Sequence, residues 1–443
     1  MFTADQQNTA QVLLERAVAV SLRPSQYVGW EIGTAAHDRG DSVSGSKQKL
    51  ALVWLMPYGM AMADAALGEL YDVLKGSARY SPERIFLRGE DLQEELRHEN
   101  FGAAHFSLEN KLPAEDFDVY VIRLPLTEND RAMFAGVAAA KNKTVIWMDP
   151  ERDTVRSVLG GLGIASDQQV AGTSVIPLIA YSTAESKKLR DTILRRGENP
   201  SYQSRATGSY PCSYRVCLAR KGWARFISHL EQIQLLKNSL MLSGLPIFWS
   251  SSGQLRPRVS FGPAVSVGWC SESEFFDVEL SQYLPVAALA QALMPSLPAG
   301  YQLVEIQKIP RHFPSLEESV NWVEFNLEGP SDFNWQRLVD FSQAVTERRA
   351  PETPIRKEKK DNKVDIIDLR EVVAECSLLG GSSDRVKVFL ALRLGPKKHL
   401  KPEKIIEVFL GIPSRLIAKE VRITRTALAL EFKGGHRRYL CQK

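Results

Sequence analysis

The segment Leu218-Ala-Arg220-Lys221-Gly222-Trp223-Ala-Arg225-Phe226-Ile-Ser228-His229-Leu230-Glu231 gathers three cations, aromatic rings and a histidine around a turn that feeds a helix. Cationic side chains meet phosphates and ring faces stack on bases, so this composition suits contact with an RNA backbone and its bases. A second basic loop follows, Ser250-Ser-Ser-Gly253-Gln-Leu-Arg256-Pro257-Arg258, in which Pro257 holds the chain extended between two arginines. The planar fork of arginine recognises phosphate better than the point charge of lysine. The candidate RNA-binding residues are therefore Lys221, Arg225, His229, Arg256 and Arg258, and His229 is also the one candidate for acid/base work on RNA. Packing accounts for part of the same segment: Phe226 and Leu230 are expected to face inward, and Ser228 to cap the helix that starts at His229.

Other catalytic signatures are missing. The chain contains no P-loop, H-E-x-x-H, G-x-S-x-G or paired C-x-x-C pattern. Cys212 and Cys217 are separated by four residues rather than two, with no histidine nearby, which speaks against a zinc or iron-sulfur site. Gly160-Gly161-Leu-Gly163 lacks the incoming strand and outgoing helix of a dinucleotide loop and reads as a turn. No metal and no cofactor is expected.

The elements that must position these residues fall into two kinds. Leu50–Leu55, Ile85–Leu87, Phe117–Leu124 and Val145–Met148 are apolar strand runs, alternating with helical stretches at Ala61–Leu74, Asp91–Glu99 and Asn129–Lys141. Uninterrupted apolar strands between helices indicate a mostly parallel sheet covered on both faces, hence a Rossmann-like α/β domain. A strand is expected at Val175–Ile179 and a charged helix at Glu185–Arg196, followed by a linker rich in turn formers. Beyond it the order is strand Tyr214–Ala219, helix His229–Ser243, strands Arg258–Phe261 and Phe275–Leu280, helix Pro285–Met294 and strand Leu303–Gln307. That order fits a ferredoxin-like unit. A similar cycle recurs with strands at Trp322–Leu327, Val364–Leu369, Arg385–Leu394 and Ala427–Phe432, and helices at Trp335–Val345 and Pro402–Phe409. The C-terminal half is thus expected to be α+β, built from two ferredoxin-like units. The charge run Arg356–Lys363 falls in a loop of the second.

With 443 residues the chain has room for two or three domains. Its 56 Lys and Arg against 52 Asp and Glu leave a net charge of +4, so affinity for a polyanion must come from local clustering. Five scattered cysteines indicate a reducing compartment, and no stretch of about 18 apolar residues occurs. A cytoplasmic protein without membrane contact is expected.

Arg225-Phe-Ile-Ser-His-Leu230, Ser243-Gly-Leu-Pro-Ile247, Pro257-Arg-Val-Ser-Phe261, Glu274-Phe-Phe-Asp-Val-Glu-Leu280, Val364-Asp-Ile-Ile-Asp-Leu369 and Arg422-Ile-Thr-Arg-Thr-Ala427 together resemble a radical-SAM-linked domain of unknown function. Upstream, Tyr27-Val-Gly29-Trp-Glu31, Met56-Pro57, Glu83-Arg84-Ile-Phe86, Phe106-Ser-Leu-Glu109 and Phe117-Asp118 resemble the cobalamin-binding-like domain of the partner radical SAM proteins. Where that family's turn after the first strand carries an aspartate, a glutamate and a histidine, this chain has Tyr58, Ala61 and Ala66. The cysteine triplet and the barrel of those proteins are absent. The implied organisation is an N-terminal extension (1–47), a degenerate cobalamin-binding-like domain (48–197), a linker (198–212) and a radical-SAM-linked domain (213–443, with subunits at about 213–310 and 320–435). What the resemblance implies is a non-catalytic accessory subunit of a separately encoded radical SAM protein, recognising an rRNA or tRNA substrate for modification. Two alternatives stay open: a corrinoid or nucleotide binder using the N-terminal domain, and a stand-alone RNA-acting enzyme using His229.

Overall fold

The structure is a computed structural model that describes residues 4–29, 31, 34, 47–99, 105–139, 143–164, 211–249, 257–310, 313–358, 364–395 and 400–441. Two compact units emerge. The first comprises Met1–Asn199 with Gln234–Gly244 and Ser296–Ala299, and the second Pro200–Ile233, Leu245–Pro295 and Gly300–Lys443.

In the first unit β1 (Gln48–Trp54), β2 (Tyr80–Phe86), β3 (Val119–Arg123) and β4 (Thr144–Met148) form a parallel sheet in the order β2-β1-β3-β4. Leu50, Leu52 and Trp54 enter one core with Tyr71 and Val121, while Ala51 and Val53 enter another with Ile85, Ile122 and Phe134. Burial on both faces explains why β1 and β3 read as unbroken apolar runs, whereas β2 begins five residues before the expected Ile85–Leu87 because buried Glu83 and Arg84 interrupt its apolar pattern. The single helix expected over Ala61–Leu74 is two, Tyr58–Ala63 and Ala65–Gly76. Asp64 leaves helical geometry between them and accepts the Ala66 N–H at 2.9 Å, because a short carboxylate serves a helix better as N-cap than inside it. A helix at Val155–Gly161, started by a Thr154/Ser157 capping box, takes in the first two glycines of the sequence read as a turn, and the turn itself follows at Leu162 and Gly163. The strand and helix expected at Val175–Ile179 and Glu185–Arg196, and the linker up to residue 210, lie outside the described residues.

The second unit contains β5 (Cys212–Arg220), β6 (Val259–Phe261), β7 (Cys270–Leu280), β8 (Tyr301–Ile309), β9 (Trp322–Pro330), β10 (Pro354–Glu358), β11 (Val364–Asp368), β12 (Val373–Gly381), β13 (Arg385–Arg393), β14 (Arg422–Glu431) and β15 (Arg437–Tyr439). Nine of them make one sheet, β12-β13-β9-β14-β7-β5-β8, with β15 paired to β14 and β6 to β7. The first cycle lies as β8-β5-β7-β6 and the second as β14-β9-β13-β12, all neighbours antiparallel. Each therefore places its fourth, first, third and second strands side by side. A short parallel contact, Thr424↔Cys270 and Arg425↔Ser271, joins the cycles. The second strand of the second cycle is β12, not Val364–Leu369, which forms a separate hairpin with β10. Irregularities at Val373/Glu375 and Leu378/Gly380 interrupt the two-residue alternation of β12 and hide it in the sequence. The main core gathers Val323, Phe325 and Leu327 of β9, Val388 and Leu390 of β13, and Leu338, Ile405 and Ile417 from helices. Among the described residues no helix is long and apolar enough to cross a membrane.

Candidate nucleic-acid interface

β5 ends at Arg220, the chain turns through a 3-10 helix at Gly222–Phe226, and a helix runs over His229–Leu242. Gly222 has φ of +55°, the left-handed backbone that lets the strand turn immediately. Ser228 and Glu231 form a capping box: the Ser228 N–H donates to Glu231 Oε2 at 2.8 Å and the Glu231 N–H to Ser228 Oγ at 3.4 Å. Trp223 and Phe226 are buried, their ring centroids 5.3 Å apart. Leu230, expected to face inward, is 78% exposed. The cap sets the helix phase so that Gln232, Leu235, Leu236 and Ser239 form the buried stripe, and Leu230 falls outside that i, i+3, i+4, i+7 pattern.

Beneath the turn lies a buried polar network that the sequence reading did not assemble. Arg220, fully buried, donates from Nη1 to the Ile227 carbonyl (3.2 Å) and Gln232 Oε1 (2.9 Å), and from Nη2 to the carbonyls of Ser266 (2.9 Å), Trp269 (3.0 Å) and Arg225 (3.4 Å). One guanidinium thus fastens the basic turn to the loop before β7. Gln232 Nε2 donates to Glu274 Oε2 at 2.7 Å, and the Tyr301 hydroxyl to Gln232 Oε1 at 3.2 Å. Arg425 donates to Glu274 Oε1 (2.7 Å) and to the carbonyls of Ser273 (2.9 Å) and Pro263 (2.8 Å). Burial by itself would raise the Glu274 carboxyl, but Arg425 and Arg220 hold it below its ordinary value of 4.5. Burial lowers Arg425 even with Glu274 beside it.

The candidate residues divide around this network. Lys221 is exposed, its N–H bonded to the Gly300 carbonyl at 2.9 Å. Arg225 is half-buried with its guanidinium 4.4 Å from the Phe226 ring centroid. His229 is half-buried and its Nδ1 has no hydrogen-bond partner among the described residues. Burial lowers its pKa from 6.5; Glu274 pulls it up while Arg220 and Arg425 push it down. Arg258 lies elsewhere, bonded to Glu279 at 3.3 Å and stacked over Phe248. Arg220 pairs with Ser271 at the start of β7, whereas Arg258 meets Glu279 near its end. Eight residues of strand separate the two, roughly 26 Å at about 3.3 Å per residue. Arg258 therefore lies toward the opposite end of β7 from the basic turn. Arg256 lies outside the described residues.

In the first unit the ligand position expected of such a sheet is the crevice past the ends of β1 and β3, where the strand order reverses. Here Asp64 and Arg123 form an ion pair at 2.8 Å. Tyr58 and Ala61 are built into the core, the Tyr58 hydroxyl donating to Glu31 Oε1 at 2.8 Å. Arg84, fully buried, bonds Glu31 and Glu109 at 2.6 Å each. Tyr58, Ala61, Glu31, Arg84 and Glu109 are all buried in the interior of the unit. Among the described residues no three His, Cys, Asp or Glu side chains gather as a metal site.

Residues 213–402 match the model of a protein family described as uncharacterized and conserved in bacteria, DUF2344. The C-terminal region carries this domain. Arg220, Gln232, Glu274 and Tyr301 fall inside the match and Arg425 beyond it. No curated protein matches the chain. Among solved structures, DyPB from Rhodococcus jostii RHA1 is similar over 50% of this chain and 92% of that one, at 12% identity and a TM-score of 0.14. A DypB variant in complex with manganese is similar over 50% and 93%, also at 12% identity and a TM-score of 0.14. A likeness that low carries no inference about fold or function. Nothing in these matches connects DUF2344 with radical SAM or cobalamin-binding proteins.

Proposed function

We propose that this chain is a non-catalytic RNA-recognition subunit whose C-terminal unit, two ferredoxin-like cycles, offers the turn around Lys221 and Arg225 to an RNA substrate. The observation that carries this reading is the use of Arg220. Its guanidinium is consumed by carbonyls on both sides of the turn, so Lys221 and Arg225 project from a backbone already fixed before any ligand arrives. A preorganised cation loses less freedom on meeting a phosphate. A radical SAM protein as the catalytic partner rests on the resemblance of the two regions to that system, and rRNA or tRNA as the substrate rests on the same ground.

One observation favours the enzymatic alternative. His229 has an Nδ1 without a hydrogen-bond partner among the described residues and a lowered pKa that keeps it neutral near pH 7, the protonation state of a general base. Incubating labelled RNA with the purified chain separates these readings, since cleavage or modification by the chain alone would make it an enzyme. The recognition reading is tested by fluorescence anisotropy of labelled single-stranded RNA between about 50 and 200 mM salt. Saturable binding that weakens with salt supports it, and the absence of binding at the lowest salt overturns it.

A further inference from the structure

Two cavities open in the second unit and share part of their lining. The smaller, about 330 Å³, is walled by Lys221, Glu272, Phe275, Gln302 and Thr426, with Ala427 and Cys441 at one side. The larger, about 740 Å³, is walled by Gln307, Glu324, Arg437, Arg438 and Tyr439, and again by Ala427 and Cys441. Ala427 and Cys441 therefore set the two cavities side by side.

Resting on the RNA reading above, we propose that the two neighbouring cavities act as one groove for a single-stranded segment, with one nucleobase in the smaller cavity and flanking phosphates on Lys221 and Arg438. The smaller cavity is near the low end of ligand-pocket volumes, suited to a planar base rather than a folded ligand. Its wall combines the apolar Phe275 with hydrogen-bonding groups of Glu272, Gln302 and Thr426. A carboxylate and a side-chain amide are the groups that read an exocyclic amine, as on adenine or cytosine. Lys221 and Arg438 are both exposed, and neither has a carboxylate in ion-pair distance among the described residues. Arg437, by contrast, is held by Glu431 and Glu375 and lies 3.5 Å from the Trp322 ring centroid. Tyr439, 41% exposed and fixed through its hydroxyl to Glu324 at 2.6 Å, offers a ring on which the neighbouring base stacks. Charge at both ends, a pocket between them and an aromatic platform form the sequence phosphate, base, base, phosphate.

Half-buried Cys441, in the wall of both cavities, reports occupancy directly. The full chain is treated with N-ethylmaleimide, with and without oligoadenylate, oligocytidylate or oligouridylate of about ten nucleotides, and modification of each cysteine is followed by peptide mass spectrometry. The expected result is that oligoadenylate or oligocytidylate at ten times its Kd slows alkylation of Cys441 about tenfold, leaves Cys212 and Cys270 unaffected, and outcompetes oligouridylate. Gln302→Ala, at an exposed position, should erase the base preference, and Lys221→Ala and Arg438→Ala should each weaken protection several-fold. Oligonucleotide binding without protection of Cys441 overturns the groove while leaving RNA recognition standing. Failure of every oligonucleotide to bind overturns both, and equal protection by polyglutamate would make the occupant an acidic peptide.

Discussion

Replacing Glu274 by glutamine keeps the shape of the buried network and removes the carboxylate that pairs with Arg425. Arg425, 2% exposed, would then be an uncompensated buried cation beside a second, Arg220. At the observed 2.7 Å separation the Coulomb attraction is about 6 kcal/mol for an effective dielectric near 20, against about 1.5 kcal/mol in water. Breaking a buried pair from one side typically costs about 3–5 kcal/mol, and the fully buried geometry places Glu274→Gln in that range. For a unit of this size the loss corresponds to a fall in Tm of roughly 6–20 °C. Urea unfolding at pH 7, followed by tryptophan fluorescence, measures it. The double change Glu274→Leu with Arg425→Met should recover most of the loss, because two apolar groups of similar volume remove both charges together. The penalty is also pH-dependent. The folded carboxyl titrates below its ordinary 4.5, so its contribution is present above that pH and disappears as pH falls through the folded value. Glu274→Gln should therefore differ least from wild type in acid. A loss under about 1 kcal/mol at pH 7, or a double variant no more stable than the single one, would refute the account of this network.

His229 titrates below 6.5 for the reasons of burial already given, so the unfolded chain binds its proton more readily and stability declines as pH drops from 7 toward the folded value; NMR titration should find that lowered pKa, and Glu274→Gln should lower it further. Leu230→Ser should change stability by less than about 0.5 kcal/mol, whereas Phe226→Ala, which opens a cavity beside Trp223, should cost about 3–5 kcal/mol in the same unfolding assay. Burial pushes the Cys376 thiol up to about 12, and burial beside Cys441 pushes Cys217 higher still, so a colorimetric thiol assay on the native chain should label Cys212, Cys270 and Cys441 well before these two.

β1 and β3 of the first unit were legible because both of their faces are buried, which leaves no polar alternation to confuse the reading, whereas β2 was legible only at its end because Glu83 and Arg84 lie buried inside it. The His229 helix and its Ser228 cap were legible for the same local reasons that form them. β12 was not, since its two irregularities erase the period of two. Arg220 was read as one more cation on the basic turn. Its strand carried the correction, for Tyr214, Val216 and Leu218 are buried on one face and Arg220 continues their spacing. Glu274 shares its face with Phe276, Val278 and Leu280 in the same way. A charge at an apolar position of an alternating strand signals a buried partner, but which partner depends on β14 lying against β7, a long-range pairing that local pattern does not encode. The distance between Arg225 and Arg258 was hidden for a related reason: neighbours in loop order became opposite ends of one strand.

The most direct test of RNA recognition by the turn is the salt dependence of binding in the full chain, compared with the Lys221→Ala, Arg225→Ala double variant. Each single-strand phosphate contact contributes about 0.7 to the log-log slope, so losing two contacts should flatten it by about 1.4. Lys221 is exposed and the backbone carbonyl of Arg225 keeps its bond to Arg220 in the variant, so the variant should keep its fold, checked by circular dichroism. A flattened slope with weaker binding is the predicted result; RNA binding whose slope is the same in both proteins would contradict it.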